Sequence, residues 1–118
     1  MTTSQSDLGK SLSLQGSKGN EMLHIVWRFR ASAEQREQFL QQYSSDGAWT
    51  DLFRKSPDYH GTSMLQDIAE PLGFLVVDRW SSNQAVPQFC EEFGAEYEEL
   101  DRHCQRLTQE HLVGIYKG

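Results

Sequence analysis

The sequence predicts a single α+β domain with the element order β-α-β-β-α-β, and three patterns carry that prediction. Between Met22 and Arg30, Leu23, Ile25, Trp27 and Phe29 alternate with His24, Val26, Arg28 and Arg30, the period of two that belongs to a strand. Between Gly73 and Trp80, Phe74, Val76, Asp78 and Trp80 alternate with Leu75, Val77 and Arg79, so large apolar groups fall on both faces. A sheet covered on one face by helices and on the other by a second sheet asks for that pattern. Farther on, Phe89, Phe93, Tyr97, Leu100, Cys104 and Leu107 recur at gaps of four and three, the stripe of an amphipathic helix.

The remaining elements follow in chain order. Residues 1–20 hold five serines and three glycines and read as a flexible tail, with the domain spanning 21–118. Ser32 caps a helix over Ala33 to Tyr43, with Gln35 as its capping-box partner and Phe39, Leu40 and Tyr43 on the apolar side. Ser44, Ser45, Asp46 and Gly47 end it. Trp49, Leu52 and Phe53 then suit a short helix plugging one end of the core, and Ser56-Pro57-Asp58 returns the chain to extended geometry. Strands are expected over His60 to Ile68 and Gly73 to Trp80, joined tightly enough for an antiparallel hairpin.

Ser81 or Ser82 caps the second long helix, and Pro87 is tolerated in its first turn. Gly94 marks either close packing or a break. Glu91, Glu92, Glu96, Glu98, Glu99 and Asp101 read as one solvent-facing acidic surface. After a turn at Thr108, Val113 to Tyr116 close the sheet as a short edge strand.

Composition narrows the function. With 118 residues the chain suits one domain whose thin core gains from burying a further face against a second copy. Eleven basic against seventeen acidic residues give a net charge of -6, which disfavours nucleic acid as a partner. No apolar stretch is long enough to span a bilayer, and the first residues lack the pattern of a secretory signal, which makes the cytoplasm the default location. Cys90 and Cys104 lie fourteen positions apart in one helical region, about 21 Å at helical rise, too far to bridge. Neither belongs to a CxxC pair, and no metal site is expected from Glu99, His103, Cys104 and His111. Phosphate-loop, dinucleotide, zinc-protease and serine-elbow motifs are absent from the sequence.

Several segments taken in order resemble the antibiotic-biosynthesis monooxygenase-like group of dimeric α+β barrels. Asp46-Gly47-Ala48-Trp49-Thr50-Asp51-Leu52-Phe53 is similar to that family's turn before the second strand. Tyr59-His60-Gly61-Thr62-Ser63-Met64-Leu65 resembles the start of the strand, and Asp78-Arg79-Trp80-Ser81-Ser82 the strand-to-helix junction. Leu107-Thr108-Gln109-Glu110-His111-Leu112-Val113-Gly114 is similar to its closing stretch. The resemblance implies a ferredoxin-like subunit with a four-stranded antiparallel sheet, two of which meet as a homodimeric barrel. It also implies a cofactor-independent monooxygenase acting on a small aromatic or polyketide-like molecule, a phenolic substrate itself supplying the reducing power.

Such a site needs an aromatic lining, groups that hold substrate oxygens and a base that forms the phenolate. Trp49, Phe53 and Trp80 are the expected substrate-binding residues, and Tyr59, at a strand entrance, is an expected catalytic residue that would hold a substrate oxygen by a hydrogen bond. His24 and His60 are the expected proton acceptors, since an imidazole ordinarily titrates near neutral pH. Arg28 shares a strand face with His24, so the two would hold one substrate oxygen. Asp78 would orient a donor, and Arg79 would pair with an acid on a neighbouring strand or across the dimer. No cofactor is expected; the axial histidine of the haem-degrading branch has no convincing counterpart on the second helix. Two other readings fit the same scaffold: a noncatalytic dimeric module that binds a small ligand, and an isomerase or other acid–base enzyme.

Overall fold

The computed structural model describes residues 22–82 and 84–118, so the expected N-terminal tail lies outside the described residues. Strand β1 (Leu23–Ala31) is followed by helix α1 (Arg36–Tyr43), the short helix α2 (Ala48–Phe53) and strand β2 (Tyr59–Gln66). Strand β3 (Gly73–Trp80), helix α3 (Ala85–Cys104) and strand β4 (Thr108–Lys117) complete the order. The sheet runs β2-β3-β1-β4 with every neighbour antiparallel. This is the expected α+β, ferredoxin-like arrangement.

The alternation in β1 is realised residue by residue. Leu23, Ile25, Trp27, Phe29 and Ala31 are buried under the helices, while His24, Val26, Arg28 and Arg30 point to the other face. In β3, Phe74, Val76, Asp78 and Trp80 join the buried side. Phe39 and Tyr43 from α1, Trp49, Leu52 and Phe53 from α2, and Phe89, Tyr97 and Cys104 from α3 close that core from above. Burying a large aromatic or aliphatic side chain contributes roughly 1.5–3 kcal/mol, so this one-sided layer is the main source of stability. The other sheet face carries Val26, Leu75 and Val77 only half-buried, with Leu65, Val113 and Tyr116 exposed.

Several boundaries differ from expectation, each for a local reason. Ser32 Oγ accepts the Gln35 N–H at 3.2 Å, but it holds a turn over 33–35, and α1 starts only at Arg36. Ser56-Pro57-Asp58 makes a turn instead of an extended link, with Ser56 Oγ accepting the Asp58 N–H. Strand β2 stops at Gln66 because the hairpin closes there: the Asp67 N–H donates to Gly73 O, and the Asp67 carboxylate accepts the Ala69 N–H at 2.8 Å. Ile68 therefore sits fully exposed in the turn. Strand β4 is not a short edge piece: it pairs with β1 along its whole length, from Ala31–Thr108 to Leu23–Lys117, across a bulge near Val113. Long pairing satisfies backbone groups that a four-residue strand would leave open.

Helix α3 starts at Ala85 with Gln84, not Ser81 or Ser82, at its N-cap; Ser81 Oγ donates instead to the Asp58 carboxylate at 2.9 Å, and Pro87 lies in the first turn as expected. It is broken at Phe93, whose φ of -116° and ψ of 24° leave helical geometry. A Cβ at Gly94 would meet nothing within 4 Å, so this glycine accompanies the break and serves no close packing. Asp101 departs from the acidic surface assigned to it: it is 2% exposed, four residues after buried Tyr97 and three before buried Cys104.

Candidate functional site

The layer between sheet and helices is filled by aromatic rings in mutual contact. Phe53 of α2 stands at the centre, 5.4 Å from Tyr59, 5.2 Å from Trp80 and 5.5 Å from Phe89 between ring centroids. Trp49 lies 5.6 Å from Phe53 and 5.2 Å, edge-on, from Tyr97. Toward the other end, Tyr43 contacts Phe29 at 4.5 Å and Trp49 at 6.2 Å. These separations and tilts are the favourable ones for aromatic pairs. The interior is thus a continuous aromatic layer from Tyr59 to Phe29.

One end of this layer is polar and linked. Tyr59 is hydrogen-bonded to Thr62, and the Thr62 hydroxyl donates to Asp78 Oδ1 at 2.6 Å. A threonine has one hydroxyl hydrogen, and it is committed to the carboxylate, so Tyr59 must be the donor to Thr62. Strict alternation would put Tyr59 and Thr62 on opposite faces. The register of β2 slips between Tyr59 and Gly61, which pairs Tyr59 with Trp80 and Thr62 with Asp78 and so turns both toward the helices. Gly61 takes a φ of 113° at this bulge, a conformation open to glycine.

Burial sets the electrostatics of that end. Asp78 is 5% exposed, and desolvation raises its pKa to about 6, against the Thr62 hydrogen bond and the Arg79 charge, which lower it. Burial likewise pushes the Tyr59 phenol up to about 12, with the Asp78 charge in the same direction. Asp78 is therefore a carboxylate at neutral pH with far more basicity than an exposed one, and Tyr59 remains a phenol.

The opposite end holds a second polar cluster. Glu110 of β4 lies opposite Phe29, and its Oε2 is buried without a hydrogen-bond partner among the described residues. Burial, and then the charge of Asp101, raise its pKa to about 8. The indole N–H of Trp27 is buried without a partner among the described residues, while Trp49 lies against Tyr43 and Cys104 and its hydrogen bonding lowers the pKa of each. Tyr43 and Cys104 sit close enough to Trp49, Asp101 and Glu110 to feel all three; burial drives Tyr43 well above the ordinary phenol range and the Cys104 thiol to about 11. Tyr97 lies between the two ends: burial raises its pKa well above the ordinary value, and Asp78, Asp101 and Glu110 all add to that shift.

The residues expected at the site fall into two groups. Trp49, Phe53, Tyr59 and Trp80 come together in the aromatic interior. His24, Arg28 and His60 do not join them. His24 and Arg28 lie on the open sheet face, where His24 Nε2 is 3.2 Å from the Gly118 carbonyl and Arg28 pairs in register with His111. His60 is exposed, because the bulge leaves it without a register partner on β3. The physical reason is the alternation of β1 itself: the face that buries Trp27 turns His24 and Arg28 away. Arg79, on the same open face, donates to Ser63 Oγ at 3.1 Å.

The sequence reading does not single out Thr62, Asp101 or Glu110 as site residues, although a signal exists for Asp101, and the burial of Asp78 has one too. Asp101 continues the buried helical stripe from Tyr97, and Asp78 alternates in phase with Val76 and Trp80. Glu110 had no such signal until β4 was known to begin at Thr108. Among the described residues, no cluster of three or more His, Cys, Asp or Glu is placed to hold a metal ion, and no helix is long and apolar enough to cross a membrane.

No protein-family model and no curated protein sequence matches the chain. Solved structures do. A conserved protein of unknown function from Bacteroides thetaiotaomicron superposes with a TM-score of 0.65 at 14% identity, covering 85% of this chain and 100% of that one. SnoaB, a cofactor-independent oxygenase from Streptomyces nogalater, gives 0.60 at 13% identity, covering 83% and 93%. A candidate antibiotic biosynthesis monooxygenase from Nitrosomonas europaea gives 0.59 at 14%, covering 86% and 94%. Likeness at such identity is a likeness of fold, and by fold this chain stands with the antibiotic-biosynthesis monooxygenase-like proteins.

Proposed function

We propose that the protein is a cofactor-independent oxygenase that oxidises a small electron-rich phenol or polyketide-like aromatic in the space between sheet and helices. The observation that carries this reading is the hydrogen-bonded line from Tyr59 through Thr62 to buried Asp78, set at the edge of an aromatic layer. A phenolic substrate stacked against Phe53 and Trp80 gives its proton to the Tyr59 oxygen while the Tyr59 proton passes to Thr62 and the Thr62 proton to Asp78. The net transfer is from substrate to Asp78, whose raised basicity suits a phenol better than an exposed carboxylate does. The resulting phenolate, shielded from water, is the electron donor that oxygen needs. The oxygenase names borne by proteins of this fold support the same chemistry.

The working unit in this proposal is a homodimer joined through the open sheet face, where Val26, Leu75, Val77, Leu65, Val113 and Tyr116 present apolar surface on a sheet otherwise covered on one side only. Oxygen uptake by the purified protein with a panel of phenols, naphthols and anthrones is the direct test. Uptake that depends on the phenol and falls on the order of 10²-fold or more in Asp78→Asn is expected. Uptake unchanged by that substitution would remove Asp78 from the mechanism.

A second reading has its own support. Trp49, Phe53, Trp80 and Phe89 contact one another closely, and each is almost wholly buried. That packing favours a noncatalytic module in which these rings are core. Saturable phenol binding without oxygen uptake would identify it.

A further inference from the structure

We propose a second binding site, for a small aromatic monocarboxylate, in the cleft at the end of the sheet opposite Tyr59. Tyr59 pairs through Trp80 with Leu23 at one end of β1, whereas this cleft lies at Arg30 and Ala31 at the other, about 26 Å away along the strand. It encloses about 540 Å³, a volume usual for small-molecule sites. The site stands apart from the oxygenase chemistry and does not depend on it. Three chain segments build the cleft, and hydrogen bonds between them fix its shape. The Ala31 N–H donates to Leu72 O at 2.9 Å, which ties the end of β1 to the β2–β3 turn. The Thr108 hydroxyl donates to Arg30 O at 2.9 Å, which ties the same end to the start of β4. Buried Ala31 and Leu107, with half-buried Leu72, form an apolar floor. A ligand meets a preformed surface and does not have to order it.

Charge selects the ligand. The chain has seventeen acids against eleven bases, yet the described residues lining this cleft include Arg30 and Arg106 and no acid. Glu70, outside the lining, holds the Arg30 guanidinium by two contacts, at 3.0 and 3.2 Å. The Arg106 guanidinium has no hydrogen-bond or ion-pair partner among the described residues. Two arginines and one glutamate leave a single positive charge, which matches a carboxylate better than a phosphate dianion. The planar fork of Arg106 takes both oxygens of such a group. Gln35 adds a donor: the Ser32 hydroxyl donates to Gln35 Oε1 at 3.4 Å, so the amide hydrogens of Gln35 remain to give. The apolar floor suits a flat hydrocarbon part beside the carboxylate, which makes an aromatic acid the fitting class.

The test is a titration of nitrogen-15-labelled protein with 2-naphthoate, followed by NMR. Saturable shifts are expected in the segments 30–35 and 105–109 and at Leu72. Arg106→Gln, a change at an exposed position that keeps amide donors, should weaken binding about ten-fold or more, as loss of a charge-assisted bidentate contact does. Neutral 2-naphthamide should bind the unaltered protein more weakly than naphthoate by a similar factor, and that comparison needs no variant. Three results overturn the site: no saturable shift in those segments up to about 10 mM naphthoate, naphthamide binding as tightly as naphthoate, or undiminished binding in Arg106→Gln. Inorganic phosphate binding there more tightly than naphthoate would overturn the choice of a carboxylate. Oxygen uptake, present or absent, leaves each of these outcomes unchanged.

Discussion

Asp78 ties stability to pH in a direction opposite to that of a salt-bridged carboxylate. Its pKa is raised from 3.8 in the unfolded chain to about 6 in the fold. Below pH 4 the acid is protonated in both states. Between about 4 and 6 only the unfolded chain gives up the proton, so stability falls as pH rises, by roughly 3 kcal/mol over the window. Glu110, raised from 4.5 to about 8, extends the fall toward pH 8. The urea midpoint is therefore expected to drop from pH 5 to pH 8.5. In Asp78→Asn the fall below pH 6 should become shallower, leaving there only the Glu110 part, which runs on toward pH 8; a midpoint that rises with pH would contradict both assignments. The same variant should lose turnover yet match or exceed the parent in stability at pH 8, since the amide oxygen still accepts from Thr62 and no charge is buried. Phe53→Ala, which strips contacts with Tyr59, Trp80 and Phe89, should cost about 3–5 kcal/mol in denaturant unfolding.

Elements decide where those side chains can reach. The bulge in β2 is what aligns Tyr59, Thr62 and Asp78, and Gly61 makes it possible by holding a φ of 113°. Gly61→Ala forces a Cβ into that conformation and should cost roughly 1–3 kcal/mol. It should also reduce turnover by pulling Thr62 out of line with Tyr59. Two other glycines separate by environment. A Cβ at Gly47 would lie 2.7 Å from the Gln41 and Gln42 backbone, whereas one at Gly94 meets open space. Gly47→Ala should destabilise, and Gly94→Ala should stabilise by about 0.5–1 kcal/mol by favouring helix beside the Phe93 break. Paired thermal melts of the two variants check this; a destabilised Gly94→Ala would mean that the break needs glycine.

At the scale of the whole molecule, one sheet face is covered and the other is not. Half-buried Val26, Leu75 and Val77 form an apolar strip on the open face, and a glutamate at Val77 should convert a dimer to monomer in sedimentation velocity at micromolar concentration. A parent protein that sediments as a monomer would remove the barrel proposal. The sequence by itself determined the order of elements and the buried side of β1 and β3, because period-two and helical repeats are local consequences of backbone geometry acting on apolar side chains. It also brought Trp49, Phe53, Tyr59 and Trp80 forward as a group. Only the tertiary structure decided the rest. The length of β4 depends on its pairing with β1, the Tyr59–Thr62 alignment on a register slip between strands, and the burial of Asp101 and of the Glu110 Oε2 atom on which surfaces meet. Residue type brings His24, Arg28 and His60 forward, but it says nothing of direction: the sheet itself separates His24 and Arg28 from the aromatic interior, and His60 lies exposed. The raised pKa values of Asp78 and Glu110 likewise follow from burial in the fold, which no local pattern in the sequence announces.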